Sequence, residues 1–391
     1  MSGALPLSLY VHMPWCVRKC PYCDFNSHAW SAGVDRRRYR EALVRDFERD
    51  LELCGDRPIE TVFFGGGTPS LFSPEDFAWL LEALAARHPL IAAAEITLEA
   101  NPGTIERGRF QGYAQAGITR VSLGAQSFAP QALARLGRIH APEDTLRAVE
   151  ELHAAGLTNF NLDLMYALPE QSLEEALADV RTACALKPAH LSHYQLTLEP
   201  GTVFYTRPPP LPDEDLAWRM QLETQALLAA QGFEQYEVSA YARAGQRCRH
   251  NLNYWRFGDY LGIGAGAHGK LSAGSPGHIV RTTKPRMPGD FQRQVESAAS
   301  PVGARDRVEP GALAFEFMLN ALRLNEGFTR ADFESRTGLA LAAVRPTLER
   351  ASERGLLECG PSNETGEPRA HWRPSDLGRR FLNDLQAEFL G

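Results

Sequence analysis

Apolar residues in the first two hundred positions fall into short, nearly continuous runs separated by amphipathic stretches. The runs at 7–13, 59–64, 95–99, 118–123, 159–165 and 190–198 are rich in β-formers, as strands covered on both faces are. Between them, 35–53, 75–87, 105–116, 142–155 and 173–186 carry the helical period. Ser73 is placed to cap the second helix, ahead of Pro74 at its first position. Gly117 and Gly156 follow two other helices and end them. Strict strand–helix alternation predicts parallel strands with helical crossovers. Periodicity does not separate an open doubly wound sheet from a barrel. Either one gathers functional groups at the C-terminal ends of its strands.

The pattern changes after position 200. Residues 200–213 are proline-rich and read as a linker or crossing loop, and 215–231 reads as a helix. An aromatic, glycine-rich stretch without a simple period follows, and 270–310 reads as irregular and polar. Helical periodicity returns at 312–323, 330–336 and 341–354. Two short strands are expected between 356 and 372, around the turn-forming 362–367, before a final helix at 375–389. The chain is thus expected to divide into 1–210, a flanking segment 211–309, and a winged-helix-like domain at 310–391.

Composition narrows the function classes. With 391 residues, 44% hydrophobic and 23% charged, the chain buries a large core without staples. A net charge of −7 disfavours a dedicated nucleic-acid binder, and Arg36-Arg37-Arg38 reads as a solvated helix face. No apolar run approaches the roughly 18–20 residues of a membrane span, and no signal peptide is evident at the N-terminus. Seven cysteines without paired spacing suit a reducing cytoplasm.

Three of those cysteines carry the chemistry. Residues 10–25 read YVHMPWCVRKCPYCDF, so Cys16, Cys20 and Cys23 are spaced C-x3-C-x2-C just after the first predicted strand. A zinc site wants four ligands, and only His12 and His28 are spare here. Three thiolates suit a [4Fe–4S] cube, leaving one iron open to a substrate or cofactor. With GGGTP after the second strand, this loop resembles the radical S-adenosylmethionine (SAM) superfamily. That resemblance implies a partial (β/α)6 barrel within an α/β chain whose C-terminal region is α+β. It also implies an open iron that chelates the methionine end of SAM, and reductive cleavage to a 5′-deoxyadenosyl radical.

Other residues gain meaning from their place at strand ends. Successive glycines at 65–67 let backbone approach a ligand closely, and the Lys-Ser/Thr pair of a phosphate loop is absent. Glu99 suits a ribose hydroxyl or an amine, and Gln126 an amide or carboxylate. Arg138 suits bidentate pairing with a carboxylate. Asp163, inside an apolar strand, is either paired or faces a pocket. His250, in HNLNYW, reads either as a hydrogen-bonded histidine packed under Tyr254 and Trp255 or as an axial ligand to heme iron, with Cys248 an alternative thiolate.

Taken together, YVHMPWCVRKCPYCDF, FFGGGTPS, LEANP, LGAQSF, NLDLMYALPEQ, HYQLTLEPGT and HNLNYWRFGDYLGIGAGAHG resemble the oxygen-independent coproporphyrinogen III oxidase family across nearly the whole chain. Within it the resemblance is to the heme-chaperone branch. Phe25 stands where the dehydrogenase branch has a further cysteine, and the dehydrogenase's N-terminal extension is not expected here. HNLNYW also matches the HNxxYW pattern associated with heme in the chaperone branch. The resemblance implies Cys16, Cys20 and Cys23 as cluster ligands and Tyr10, Gly66 and Glu99 as contacts to the cluster's SAM. Tyr22, Gly67, Thr68, Gln126, Arg138, Asp163 and Thr197 match contacts to a second SAM in the dehydrogenase. The cofactors implied are the [4Fe–4S] cluster, SAM and heme. The partners implied are heme and, transiently, heme-requiring apoproteins such as respiratory enzymes, with a dimer compatible. The competing reading is coproporphyrinogen III dehydrogenase.

Overall fold

The computed structural model describes residues 5–103, 108–272, 277–297, 301–360 and 371–390. Six strands occur where the apolar runs lie: Leu7–Met13, Ile59–Gly66, Leu90–Ala100, Arg120–Gln126, Phe160–Tyr166 and His190–Gln195. They pair in parallel in that order, with helices in the connections between them, as parallel neighbours require. Leu7–Met13 is buried at six of seven positions, which is why its sequence is apolar on both faces. The third strand starts five residues earlier than its apolar pattern implies, because Leu90–Ala94 extends the ladder past the core.

The helices form for local reasons. Asp35 caps Arg36–Asp50 through the Arg38 N–H, and Ser73 and Asp76 close a capping box at Pro74–Ala85. Part of the predicted helix at 105–116 lies outside the described residues, and the described part is Phe110–Gln115. The basic run at 36–38 pairs with Asp76, Glu41 and Glu296, so it is an ion-paired helix face.

The segment 211–309 is less separate than its sequence implies. It supplies six of the twelve strands of the one large sheet. Asp259–Ile263 pairs in parallel with Leu7–Met13, adding a seventh parallel strand beside the first. Beyond it His268–Ser272, Ile279–Thr283 and Ala304–Arg307 continue the sheet antiparallel, and helix Pro288–Glu296 packs against Arg36–Asp50, so 270–310 is not irregular. At the other edge Ala240–Ala242 and Glu234–Gln235 close the ladder. A buried triad binds this extension to the first helix: Lys284 Nζ donates to Asp46 and Asp50, each at 2.6 Å.

The C-terminal region has its own apolar core, centred on Phe317, Phe328, Phe333 and Trp372. Helices Leu313–Ala321, Arg330–Thr337 and Arg345–Glu353 pack with a three-stranded antiparallel sheet of Phe328–Thr329, His371–Pro374 and Leu357–Cys359. This is the winged-helix arrangement, and the expected turn at 362–367 lies outside the described residues. The last predicted helix is two, Asp376–Arg380 and Leu382–Ala387, because Phe381 leaves helical geometry at ψ 44°.

Candidate functional site

The C-terminal ends of the parallel strands converge on a small chamber of about 130 Å3. Cys16, Cys20 and Cys23 enter it from the loop after Leu7–Met13. The glycine turn after the second strand is stitched to that loop. Gly67 N–H donates to the Met13 carbonyl at 2.8 Å, and Thr68 N–H to the Trp15 carbonyl at 2.7 Å. The approach leaves no room for side chains. A Cβ on Gly67 would stand 2.5 Å from the Trp15 oxygen, and one on Gly66, at φ +109°, would collide with the His12 ring.

The three cysteines are free thiols, and burial pushes Cys16 up and Cys23 up to about 11. The donor set fits a cluster held by three thiolates. Thr68 Oγ1 donates toward Cys16 Sγ at 3.4 Å and Arg138 Nη1 toward Cys20 Sγ at 3.8 Å, the kind of sulfur hydrogen bonding that tunes such clusters. Arg138 Nε is a buried donor without a partner among the described residues. Neither spare histidine is free for zinc through Nε2, since His12 Nε2 donates to the Asn26 carbonyl and His28 Nε2 to that of Arg286. Among the described residues no three His, Cys, Asp or Glu side chains are grouped to hold a single ion.

The remaining walls are acidic and amide-bearing. Glu99 accepts from Gly66 N–H at 3.0 Å, and burial, reinforced by Asp163, pushes its carboxyl up to about 8. Asp163 accepts from Ser122 Oγ at 3.1 Å and Asn161 Nδ2 at 2.7 Å, yet burial still raises it. A ligand carrying an ammonium group or ribose hydroxyls would relieve both. Gln126 sits at φ +65°, a strained value for this residue, where the ladder to Phe160–Tyr166 shifts register. Its Oε1 accepts from the Tyr194 hydroxyl at 2.9 Å. Arg138 is held in place by Asn101 Oδ1 at 2.6 Å and the Gly124 carbonyl at 2.8 Å. Tyr22 lines the same chamber, packed beside Phe204.

A second cavity of about 780 Å3 opens next to the first, and Phe25, Gly66 and Glu99 line both. Its wall includes Tyr10, Tyr254, Trp255, Tyr260, His268 and Arg281. Tyr10 thus faces the larger space, with its hydroxyl 3.0 Å from His12 Nδ1.

The structure therefore brings together Cys16, Cys20, Cys23, Tyr22, Gly66, Gly67, Thr68, Glu99, Gln126, Arg138 and Asp163. Of the other three candidates, Tyr10 lines only the larger cavity, and two stand apart from both. Thr197 is exposed past the end of its strand at Gln195, and its hydroxyl donates to Glu199 at 2.8 Å. His250 lies 1% exposed behind the wall of the larger cavity. Its Nδ1 lies 2.7 Å from Thr61 Oγ1 and its Nε2 3.0 Å from the Tyr254 hydroxyl, while its ring stacks on Phe63. Burial and Arg120 hold its pKa down to about 3, so it is neutral, with its two ring nitrogens facing Thr61 and Tyr254. Cys248 is fully buried and its thiol points to Glu95. Sequence reasoning missed Asn101 and Tyr194, although both lie in or beside predicted strands and within quoted motifs, and it missed the wall residues from 260 to 286, which lie in a stretch without a readable period.

Comparison with known proteins places this geometry. Residues 10–183 match the radical SAM superfamily, and residues 308–360 match the HemN C-terminal domain. The chain is 50% identical over 388 residues to the heme chaperone HemW of Escherichia coli (strain K12), with 98% of each chain covered. It is 38% identical over 367 residues to the mitochondrial radical S-adenosyl methionine domain-containing protein 1 of Bos taurus, covering 91% of this chain and 82% of that one. In structure it resembles coproporphyrinogen III oxidase (HemN) from Escherichia coli, with a TM-score of 0.81 at 21% identity, over 99% of this chain and 90% of that one, which is a likeness of fold. The chain belongs to the HemW family of the radical SAM superfamily.

Proposed function

We propose that this protein carries heme and hands it to heme-requiring apoproteins, respiratory enzymes among them, in the cytoplasm. The observation that carries the reading is the 780 Å3 cavity beside the cysteine chamber, aromatic on one wall and basic on another, within the volume range of cofactor sites. The HemW relatives are named heme chaperones, and the reading agrees with that name. No helix among the described residues is long and apolar enough to cross a membrane.

In this reading Cys16, Cys20 and Cys23 hold a [4Fe–4S] cluster, which supplies an open iron for the amino and carboxylate groups of SAM. Gly66 and Glu99 take the ammonium end, and Tyr10 closes the chamber from the side of the larger cavity. Gln126, Arg138 and Asp163, with Tyr22, Gly67 and Thr68, fix the rest of the ligand and exclude water.

The test is one anaerobic experiment on cluster-reconstituted protein given heme, SAM, coproporphyrinogen III and a reductant. The expected result is a stable heme absorption band that moves to an added apoprotein, with no decarboxylated porphyrin. Decarboxylated product that depends on Cys16, Cys20 and Cys23, with no heme retained, would make the chain a dehydrogenase instead.

A further inference from the structure

Side-chain donors reach two of the thiols in the cysteine chamber, Thr68 Oγ1 at Cys16 and Arg138 Nη1 at Cys20. One side chain joins these two donors. Asn101 Oδ1 accepts from Arg138 Nη2 at 2.6 Å, and Asn101 Nδ2 donates to Thr68 Oγ1 at 2.8 Å. Asn101 is the first residue after strand Leu90–Ala100, and Pro102 behind it disfavours the helical region for it. Gly124 leaves room for the contact, since a Cβ there would stand 3.1 Å from Asn101 Oδ1 and 3.3 Å from Arg138 Nη2.

Hydrogen-bond chemistry fixes which way each group points. A guanidinium carries donors only, so the oxygen of the Asn101 amide faces Arg138 and its nitrogen faces Thr68. The Thr68 hydroxyl has a single hydrogen. With its oxygen accepting from Asn101, that hydrogen is directed to Cys16 Sγ at 3.4 Å. Arg138 also donates to the Gly124 carbonyl at 2.8 Å, and the two acceptors together hold the guanidinium with its Nη1 3.8 Å from Cys20 Sγ.

We propose that Asn101 is a positioning residue that sets the reduction potential of the cluster, by turning the Thr68 hydroxyl and the Arg138 guanidinium onto the sulfurs of Cys16 and Cys20. This assignment rests on the cluster held by the three thiols in the reading above. A thiolate that accepts a hydrogen bond gives less charge to iron, and hydrogen bonds to sulfur are among the factors that set such potentials. Asn101 acts through its two partners. An aspartate in its place would keep Arg138 but could only accept from Thr68, which turns the hydroxyl hydrogen away from Cys16.

The test is a redox titration of the full-length, cluster-reconstituted protein without SAM, with dithionite as the electron donor, followed by electron paramagnetic resonance of the reduced cluster. Asn101→Asp is expected to make the cluster about tenfold harder to reduce, a fall of ~59 mV for one electron. Thr68→Val should lower the potential in the same direction, and Thr68→Ser, which keeps the hydroxyl, should hold it at the wild-type value. The charge of the aspartate acts in either background, so the part of its shift that disappears in the Thr68→Val background measures the turned hydroxyl. The assignment is overturned if Asn101→Asp keeps the wild-type potential, or if its shift is the same with and without the Thr68 hydroxyl. If the aspartate variant holds no cluster, Asn101→Leu, which strips both bonds, is expected to lower the potential, and an unshifted value there overturns the assignment. Wild-type protein that takes up no cluster would instead overturn the cluster reading and this assignment with it.

Discussion

The two adjoining cavities are built by opposite means. The cysteine chamber is small and assembled from strand ends, with glycines packed against backbone, Gln126 held at positive φ, and two carboxyls raised by burial. It is preorganised for a ligand that stays, and its groups are strained in that ligand's favour. The larger cavity is six times the volume, walled by aromatic rings, and carries an exposed histidine and an exposed arginine. Such a site suits a flat ligand that must also leave. The contrast assigns retention to one space and traffic to the other, with Phe25, Gly66 and Glu99 common to both.

The largest effect should come from the seam that holds the larger cavity in place. Lys284→Met leaves Asp46 and Asp50 facing each other in the interior, with Arg305 still reaching Asp50. Removing one partner of a buried ion pair costs about 3–5 kcal/mol, so the denaturation midpoint should fall sharply and heme binding should weaken, since Thr283 is next in the chain. A variant as stable as wild type would detach the cavity from this seam.

Next in size is Gly67→Ala. Overpacking costs about 1–3 kcal/mol, and here the pressure falls on the Trp15 carbonyl beside Cys16. Iron content and the cluster's visible absorption should drop while protoporphyrin binding persists. Equal loss at both sites would mean that the two cavities are one.

Glu99 gives a pH signature. Its folded pKa, about 8, lies above its unfolded value, so the folded state holds more protons between about 4.5 and 8. Its contribution to stability is therefore complete below the unfolded pKa and is lost as pH rises through 8. Stability of the cluster-free protein should decline across that window, and Glu99→Gln should flatten the decline. An unchanged slope in the variant would place the titration elsewhere. The smallest effect is expected for Ser73→Ala, which removes one N-cap at about 1 kcal/mol and should leave both cavities' binding unchanged. A loss of binding would show that this helix start positions the site.

This contrast also explains what the sequence made legible. The cysteine chamber is written mostly locally: apart from Asp163 inside its strand and Arg138 beyond an intervening helix, its sequence candidates lie at or just after the end of a buried apolar strand, so periodicity locates the strand end and the motif supplies the side chain. The larger cavity is written non-locally. HGKLS and IVRTT are short, half polar strands whose meaning comes only from pairing with each other and with Asp259–Ile263. Nothing within 270–310 alone signals that ladder. The setting of His250 is non-local for a related reason. HNLNYW lies on a seven-residue helix, and the i, i+4 pair of His250 and Tyr254 presents the tyrosine to the cavity while turning the imidazole to Thr61. Thr197 came from the family resemblance alone, and the sixth strand ends at Gln195, three residues short of its apolar run, so this position lies past the strand end.

The most direct test of the central claim is a heme titration of the protein with Cys16, Cys20 and Cys23 all changed to serine, compared with the wild type. If heme occupies the larger cavity, the thiol-free protein should bind the same stoichiometry of heme with the same absorption band, although it holds no cluster. If heme binding disappears with the thiols, heme sits on the cysteine loop, and the division of labour between the two cavities is wrong.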